Sequence, residues 1–129
     1  VRALLLVAIG SGIGGVLRLL LATRLQPSSI HFPAGTLTVN LLGCLLIGAL
    51  GAWLARSPGH PWHADARALL LAGVLGGFTT FSSFALETLT LLQAQRPGLA
   101  LLNVLLSNLG GLLLAWLGYA CAGALLRPQ

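Results

Sequence analysis

Long apolar stretches alternate along the chain with short polar ones. Four apolar stretches, at about 2–23, 34–54, 66–93 and 99–126, each reach the roughly 20 residues that an α-helix needs to cross about 30 Å of hydrocarbon. The segments between them, 26–33, 56–63 and 95–98, are short, polar and rich in proline and glycine. The pattern predicts an all-α membrane protein of four transmembrane helices, forming one domain over 1–129. The third stretch departs from the others. Within 73–87 it carries Gly76-Gly77, then Thr79, Thr80, Ser82 and Ser83 interleaved with Phe78, Phe81 and Phe84, and ends on Glu87. Lipid cannot satisfy loose backbone groups, so a helix that breaks at Gly76-Gly77 must have them covered by protein, water or an ion. Discontinuous membrane helices hold ions at their half-helix ends, where aligned peptide dipoles leave partial charges. This stretch is where function is expected.

Composition supports the membrane reading. The chain of 129 residues is 57% hydrophobic and only 7% charged, a balance that a water-soluble domain does not need. Arg2 before the leucine run imitates a signal peptide, but the apolar run continues to Ala22, which favours a first span. All seven cations are arginine, and the only acids are Asp65 and Glu87. The net charge of +5 suits lipid headgroups, and the absence of a basic cluster excludes nucleic acid as a partner. Four helices are too few to enclose a hydrated pathway, so an oligomer is expected. Cys44 and Cys121 lie in separate spans and read as small core residues rather than a disulfide or a metal pair.

The polar residues inside the spans narrow the chemistry. Gly10, Gly12 and Gly15 match a dinucleotide-binding pattern, but no strand precedes them and no acid follows before Asp65, so the match is spurious; Gly10 with Gly14, or Ser11 with Gly15, four apart on one face, read instead as a surface for close helix approach. Arg18, near the end of that span, reads as a snorkelling cation in preference to an anion ligand. Thr36 and Asn40 stand four apart on one stripe of span two. For Asn40 two readings stand: an interhelical hydrogen bond, or the lining of a polar pathway. His60 and His63 have no third ligand nearby and read as solvated loop residues. Trp53 and Trp62 sit at interfacial positions, and Asp65 suits the start of span three. Phe81, Phe84 and Glu87 follow at three-residue steps on one stripe, with Thr80, Ser83 and Thr88 alongside. Aromatic ring edges carry a weak positive potential that favours an anion without gripping it. Glu87 is the sole acid within a span, and such groups default to functional hypotheses. In span four, Asn103, Ser107 and Gly111 recur every four residues, a packing seam that can also continue the polar stripe.

Four spans place Arg2, Arg56, Arg67 and Arg127 on one side of the membrane, and Arg24, Arg96 and Arg18 on the other. Because short-loop arginines set orientation, this near balance predicts insertion in both directions and pairing as an antiparallel homodimer.

Three segments, 35–43, 76–84 and 103–107, closely resemble the Fluc/CrcB fluoride channels, and the similarity extends over essentially the whole chain. The resemblance implies a dual-topology homodimer in the inner (plasma) membrane, passing fluoride out of the cytoplasm down its gradient through two pores and relieving fluoride toxicity. By that resemblance Asn40, Phe81 and Phe84 line each pore, and Thr36, Ser83, Glu87 and Ser107 form a polar track. It also implies a structural Na+ at the dimer centre, held by backbone carbonyls of Gly76 and Thr79 from both subunits. Family members often carry tyrosine where Asn103 stands and serine where Gly111 stands. The alternative is a small multidrug-type, proton-coupled transporter, whose resemblance rests on a glutamate in the first span that this chain lacks. No nucleophile–base pair or metalloprotease pattern points to an enzyme.

Overall fold

The computed structural model describes residues 1–26, 32–56 and 58–126. Four helical rods account for the elements among them. Helix α1 is Arg2–Leu25 and α2 is Ala34–Leu54. The third span, His63–Gln93, is interrupted: α3 covers residues 63–78 and α4 is Phe81–Gln93. The fourth, α5, is Pro97–Leu125, opened by proline in its first turn, where the missing N–H breaks no helical bond. All four rods are long and apolar enough to cross a membrane. The third span starts earlier than hydropathy suggests, because His63, Ala64 and Asp65 form its first turn. The polar loop at 27–31 and Arg127 lie outside the described residues.

Two stretches wind more loosely, as π-helix: Arg67–Leu75 in α3 and Leu106–Gly110 in α5. The extra residue per turn shifts the phase of the side chains that follow. In α5 this separates the four-residue row expected from sequence. Asn103 faces α4, through Thr88, while Ser107 turns to a cavity beside α2 and Gly111 abuts the Cys44 sulfur.

The packing is that of a membrane bundle, in which close backbone approach replaces a hydrophobic driving force. The largest contacts join α2 to the second half of α5 and α1 to α3. A β-carbon on Gly48 would collide with the Ala115 carbonyl, and one on Gly118 with the Leu45 carbonyl. Along α1, Gly10 and Gly14 likewise lie against the α3 backbone, and a β-carbon on Gly77 would stand 2.5 Å from the Ser11 carbonyl oxygen.

Side chains close the helix ends. The Gln26 amide oxygen accepts from Gly35 N–H at the start of α2 (3.1 Å), and its nitrogen donates to the Phe32 carbonyl (3.1 Å). Arg56 donates to the Gly123 carbonyl (2.5 Å) and to that of Leu126, favourable for a cation at a helix C-terminus. A ring nitrogen of His63 lies 3.1 Å from the Leu54 carbonyl, so this histidine bridges two helices instead of standing free in solvent. Trp53 and Trp62 stack with centroids 4.8 Å apart. Asp65 pairs with Arg2 at 2.5 Å, tying the starts of α1 and α3. Cys44 and Cys121 are both free, and Cys121 is exposed on the outer face rather than set in the core.

Candidate functional site at the helix break

The interruption falls at Thr79-Thr80, not at Gly76-Gly77. Gly76 to Phe78 remain helical, whereas Thr79 (ψ 157°) and Thr80 (φ −151°, ψ 113°) are extended. Gly77 serves contact by admitting α1, whereas a β-carbon on Gly76 would meet no heavy atom closer than 3.7 Å beyond its own turn. The threonines make the break, because two β-branched residues with hydroxyls that bond the local backbone accept extended geometry readily.

The backbone of Thr80, at the centre of the break, has identifiable partners. Thr80 is 9% exposed, and the Asn40 side chain pairs with both of its backbone groups: Oδ1 accepts from Thr80 N–H at 2.8 Å and Nδ2 donates to Thr80 C=O at 3.0 Å. Asn40 thus stands in for a missing turn of helix. The Thr80 hydroxyl caps α4, accepting from Ser83 N–H at 3.2 Å. These two diversions have a consequence on the other side of the break. Thr80 N–H and Ser83 N–H would, in an unbroken helix, bond the carbonyls of Gly76 and Thr79. Both carbonyls are therefore released from the helical ladder.

The break opens onto a cavity of about 300 Å³ lined by Asn40, Thr80, Phe81, Phe84 and Ser107, with Gly76 and Thr79 at its edge. Phe84 is buried (8% exposed), while Phe81 is 77% exposed; their ring centroids are 5.3 Å apart and their planes tilted by 48°. A second cavity of about 560 Å³ shares Thr80 and adds Thr36, Ser83 and Arg18. Arg18 therefore belongs with hydroxyls at a cavity wall, which its position near a helix end concealed. A third, of about 440 Å³, contains Glu87, Arg96 and Gln26. Thr36 links the last two, donating to Glu87 Oε1 at 2.5 Å. Thr36 and Asn40 on α2 and Phe81, Ser83, Phe84 and Glu87 on α4 line these three cavities between them, joined by Ser107 from α5, Gly76 from the end of α3 and Thr79 from the break.

Donors are in surplus along this lining. Ser107 Oγ is buried with no hydrogen-bond partner; Glu87 Oε2, an acceptor rather than a donor, is unpartnered as well. Ser83 Oγ accepts from the Thr80 hydroxyl at 3.1 Å, leaving its own proton to give. Asn40 Nδ2 carries a second N–H beyond the one bonded to Thr80. Among the described residues no cluster of histidine, cysteine or carboxylate could hold a metal. The released carbonyls at Gly76 and Thr79 are hard oxygen donors of the kind that suits an alkali cation.

A bundle of four membrane-crossing helices, interrupted beside a row of hydroxyls, a carboxamide and two phenylalanines, defines a multi-pass membrane protein with a polar passage built into its spans. Comparison with known proteins makes the assignment specific. The family profile described as CrcB-like protein, Camphor Resistance (CrcB), matches residues 5–119, and the chain belongs to this family. It is 48% identical over 126 residues to a protein of Thermus thermophilus, covering 97% of each chain. It is 45% identical over 119 residues to one of Erwinia tasmaniensis, covering 92% of this chain and 94% of the relative. A third relative, from Novosphingobium aromaticivorans, is 48% identical over 115 residues, 87% of this chain and 89% of its own. All three bear the name fluoride-specific ion channel FluC. The multidrug-transporter alternative has no support from these relatives.

Proposed function

We propose that the whole chain is one channel domain whose antiparallel homodimer, in the inner (plasma) membrane, lets fluoride leave the cytoplasm by passive electrodiffusion. The observation that carries this reading is the donor row at the helix break in a chain 48% identical, end to end, to a named fluoride channel. Fluoride is small and tightly hydrated, so it sheds water only where donors replace it. Ser107, Ser83 and the second N–H of Asn40 offer such donors, and the edges of Phe81 and Phe84 add weak positive potential between them. Arg18 stands at the wall of one cavity and Arg96 at another, where they attract an anion toward the row without lying inside it. With no full positive charge among the donors, the ion is bound weakly enough to leave.

The exposure of Phe81 supports a partner. A phenylalanine ring 77% exposed beside a polar cavity needs a second surface to complete the passage, and the near balance of arginines at the two ends suits insertion both ways. Gly76 and Thr79, with their released carbonyls, would hold a Na+ shared between two such breaks, where the ion would supply electrostatic cross-linking of backbone oxygens. The reading is tested by fluoride-electrode efflux from liposomes containing the purified protein, with chloride as control. Wild-type protein releases fluoride and retains chloride, and Phe81→Ile or Phe84→Ile slows release by about tenfold or more while leaving the dimer intact. Sealed wild-type vesicles, or unaltered release from both variants, would overturn it.

A further inference from the structure

We propose that Asn103 is a positioning residue for fluoride passage, acting through Thr88 to hold Phe84 in place; the inference rests on the channel reading above. The break at Thr79-Thr80 cuts α4 off from the rod of α3, so the orientation of the phenylalanine-bearing half-helix is not inherited along the backbone. Packing against the first half of α5 and side-chain ties set it instead. Two of them run to α2: Thr80 to Asn40 and Glu87 to Thr36. Both lie on the same flank and together act as a hinge line about which α4 can roll.

The third tie opposes that roll. Asn103, on α5, donates from Nδ2 to Thr88 Oγ1 at 2.9 Å, and the Thr88 hydroxyl donates to the Phe84 carbonyl at 2.7 Å. A hydroxyl has one proton. With that proton given to Phe84, Thr88 can meet its neighbour only as an acceptor, so the amide NH2 of Asn103 is the end that must face it. Phe84 and Thr88 are four residues apart and share one face of α4, so holding the hydroxyl holds the ring. Asn103 is 2% exposed and lines none of the cavities described above. It therefore has no route to the ion and acts on passage only through the helix it anchors.

Unitary rates separate this role from a merely structural one. Full-length protein is reconstituted at densities low enough that most vesicles hold no channel. The fraction of vesicles that empty then counts folded channels, and the speed at which each empties reports throughput. Asn103→Leu and Thr88→Val each slow unitary fluoride release about threefold to tenfold, the range set by loss of one interhelical hydrogen bond in a membrane. Thr88→Ser, which keeps the hydroxyl, retains the wild-type rate, and the double variant is no slower than the slower single one, as residues acting through one contact require. If Asn103→Leu and Thr88→Val lower only the fraction of active vesicles and leave the unitary rate unchanged, the residue is structural and the inference fails. Should Asn103→Leu yield no folded protein, the Thr88→Val and Thr88→Ser pair decides by the same rate. Wild-type vesicles that never release fluoride overturn the channel reading, and this inference with it.

Discussion

Replacing Asn40 by leucine keeps the branching of the side chain and removes both hydrogen bonds that it makes at the helix break, at 2.8 and 3.0 Å. The loss falls on the N–H of Thr80, a residue 9% exposed, because the Thr80 carbonyl, at the N-cap of α4, keeps the first intrahelical bond while its N–H has no helical partner to return to. A buried group left unsatisfied costs about 1–3 kcal/mol, and the Thr80 N–H is the one so left. Two effects pull toward the lower half. Thr80 borders cavities on both sides, so water can enter and take part of the load, and interhelical bonds in membranes average only about 0.6 kcal/mol because the unfolded reference also finds partners. The backbone of a broken helix has fewer such alternatives than a side chain, which argues against the smallest value. The expected destabilisation of Asn40→Leu is therefore about 1–2 kcal/mol. Unfolding in mixed micelles by added dodecyl sulfate, followed by the fluorescence of Trp53, Trp62 and Trp116, measures it. Asn40→Asp retains the acceptor for Thr80 N–H but sets carboxylate lone pairs against Thr80 C=O, and is at least as unstable. A leucine variant that unfolds within about 0.5 kcal/mol of wild type would refute the assignment of Asn40 as the group that closes the break.

Two further predictions follow from backbone geometry. Helix α4 ends in a Schellman arrangement, with Arg96 N–H on the Leu91 carbonyl and Gln95 N–H on that of Leu92, and Gln95 holds the left-handed φ of 57°; Gln95→Gly relieves that strain and stabilises by about 0.5–1 kcal/mol in the same micelle titration, whereas a loss of stability would contradict the geometry. Gly76→Ala adds a methyl that meets nothing closer than 3.7 Å within the subunit, so circular dichroism stays that of the wild type. If the break of one subunit crosses that of its partner at this point, the same substitution lowers the dimeric fraction about tenfold or more on light scattering; an unaltered dimer would place the centre elsewhere.

Hydropathy made four spans legible to within a few residues, because the length of an apolar run is dictated by bilayer thickness. The site was legible as a region for a similar reason: hydroxyls, a carboxamide and a carboxylate are costly in hydrocarbon, and their presence in spans flags use. What was misread follows a common cause. Paired glycines are the strongest local sign of a break, yet Gly76 and Gly77 stay helical, because Gly77 is needed for the approach of Ser11 on α1. That demand comes from a residue 66 positions away in the chain, since 77 − 11 = 66, and leaves no local trace. Arg18 read as a lipid-facing cation because its neighbours in sequence are leucines; in the folded chain it lines one cavity together with Thr36 and Ser83. The four-residue row of Asn103, Ser107 and Gly111 was split by a π-turn, a change of phase that composition does not announce.

Sequence by itself determined that this chain has four stretches able to cross the membrane, that the third is unusually rich in polar groups, and to which family it is similar. These depend on the solvent and on residue type, and are settled wherever the chain folds. Only tertiary structure decided which groups are already occupied. Asn40 is committed to the Thr80 backbone, Thr36 to Glu87 and Asn103 to Thr88, while Ser107 and one oxygen of Glu87 have no partner. A hydrogen bond joins atoms within about 3 Å, so whether a donor is free for an ion is settled by which helices meet, and neither spacing nor composition carries that information.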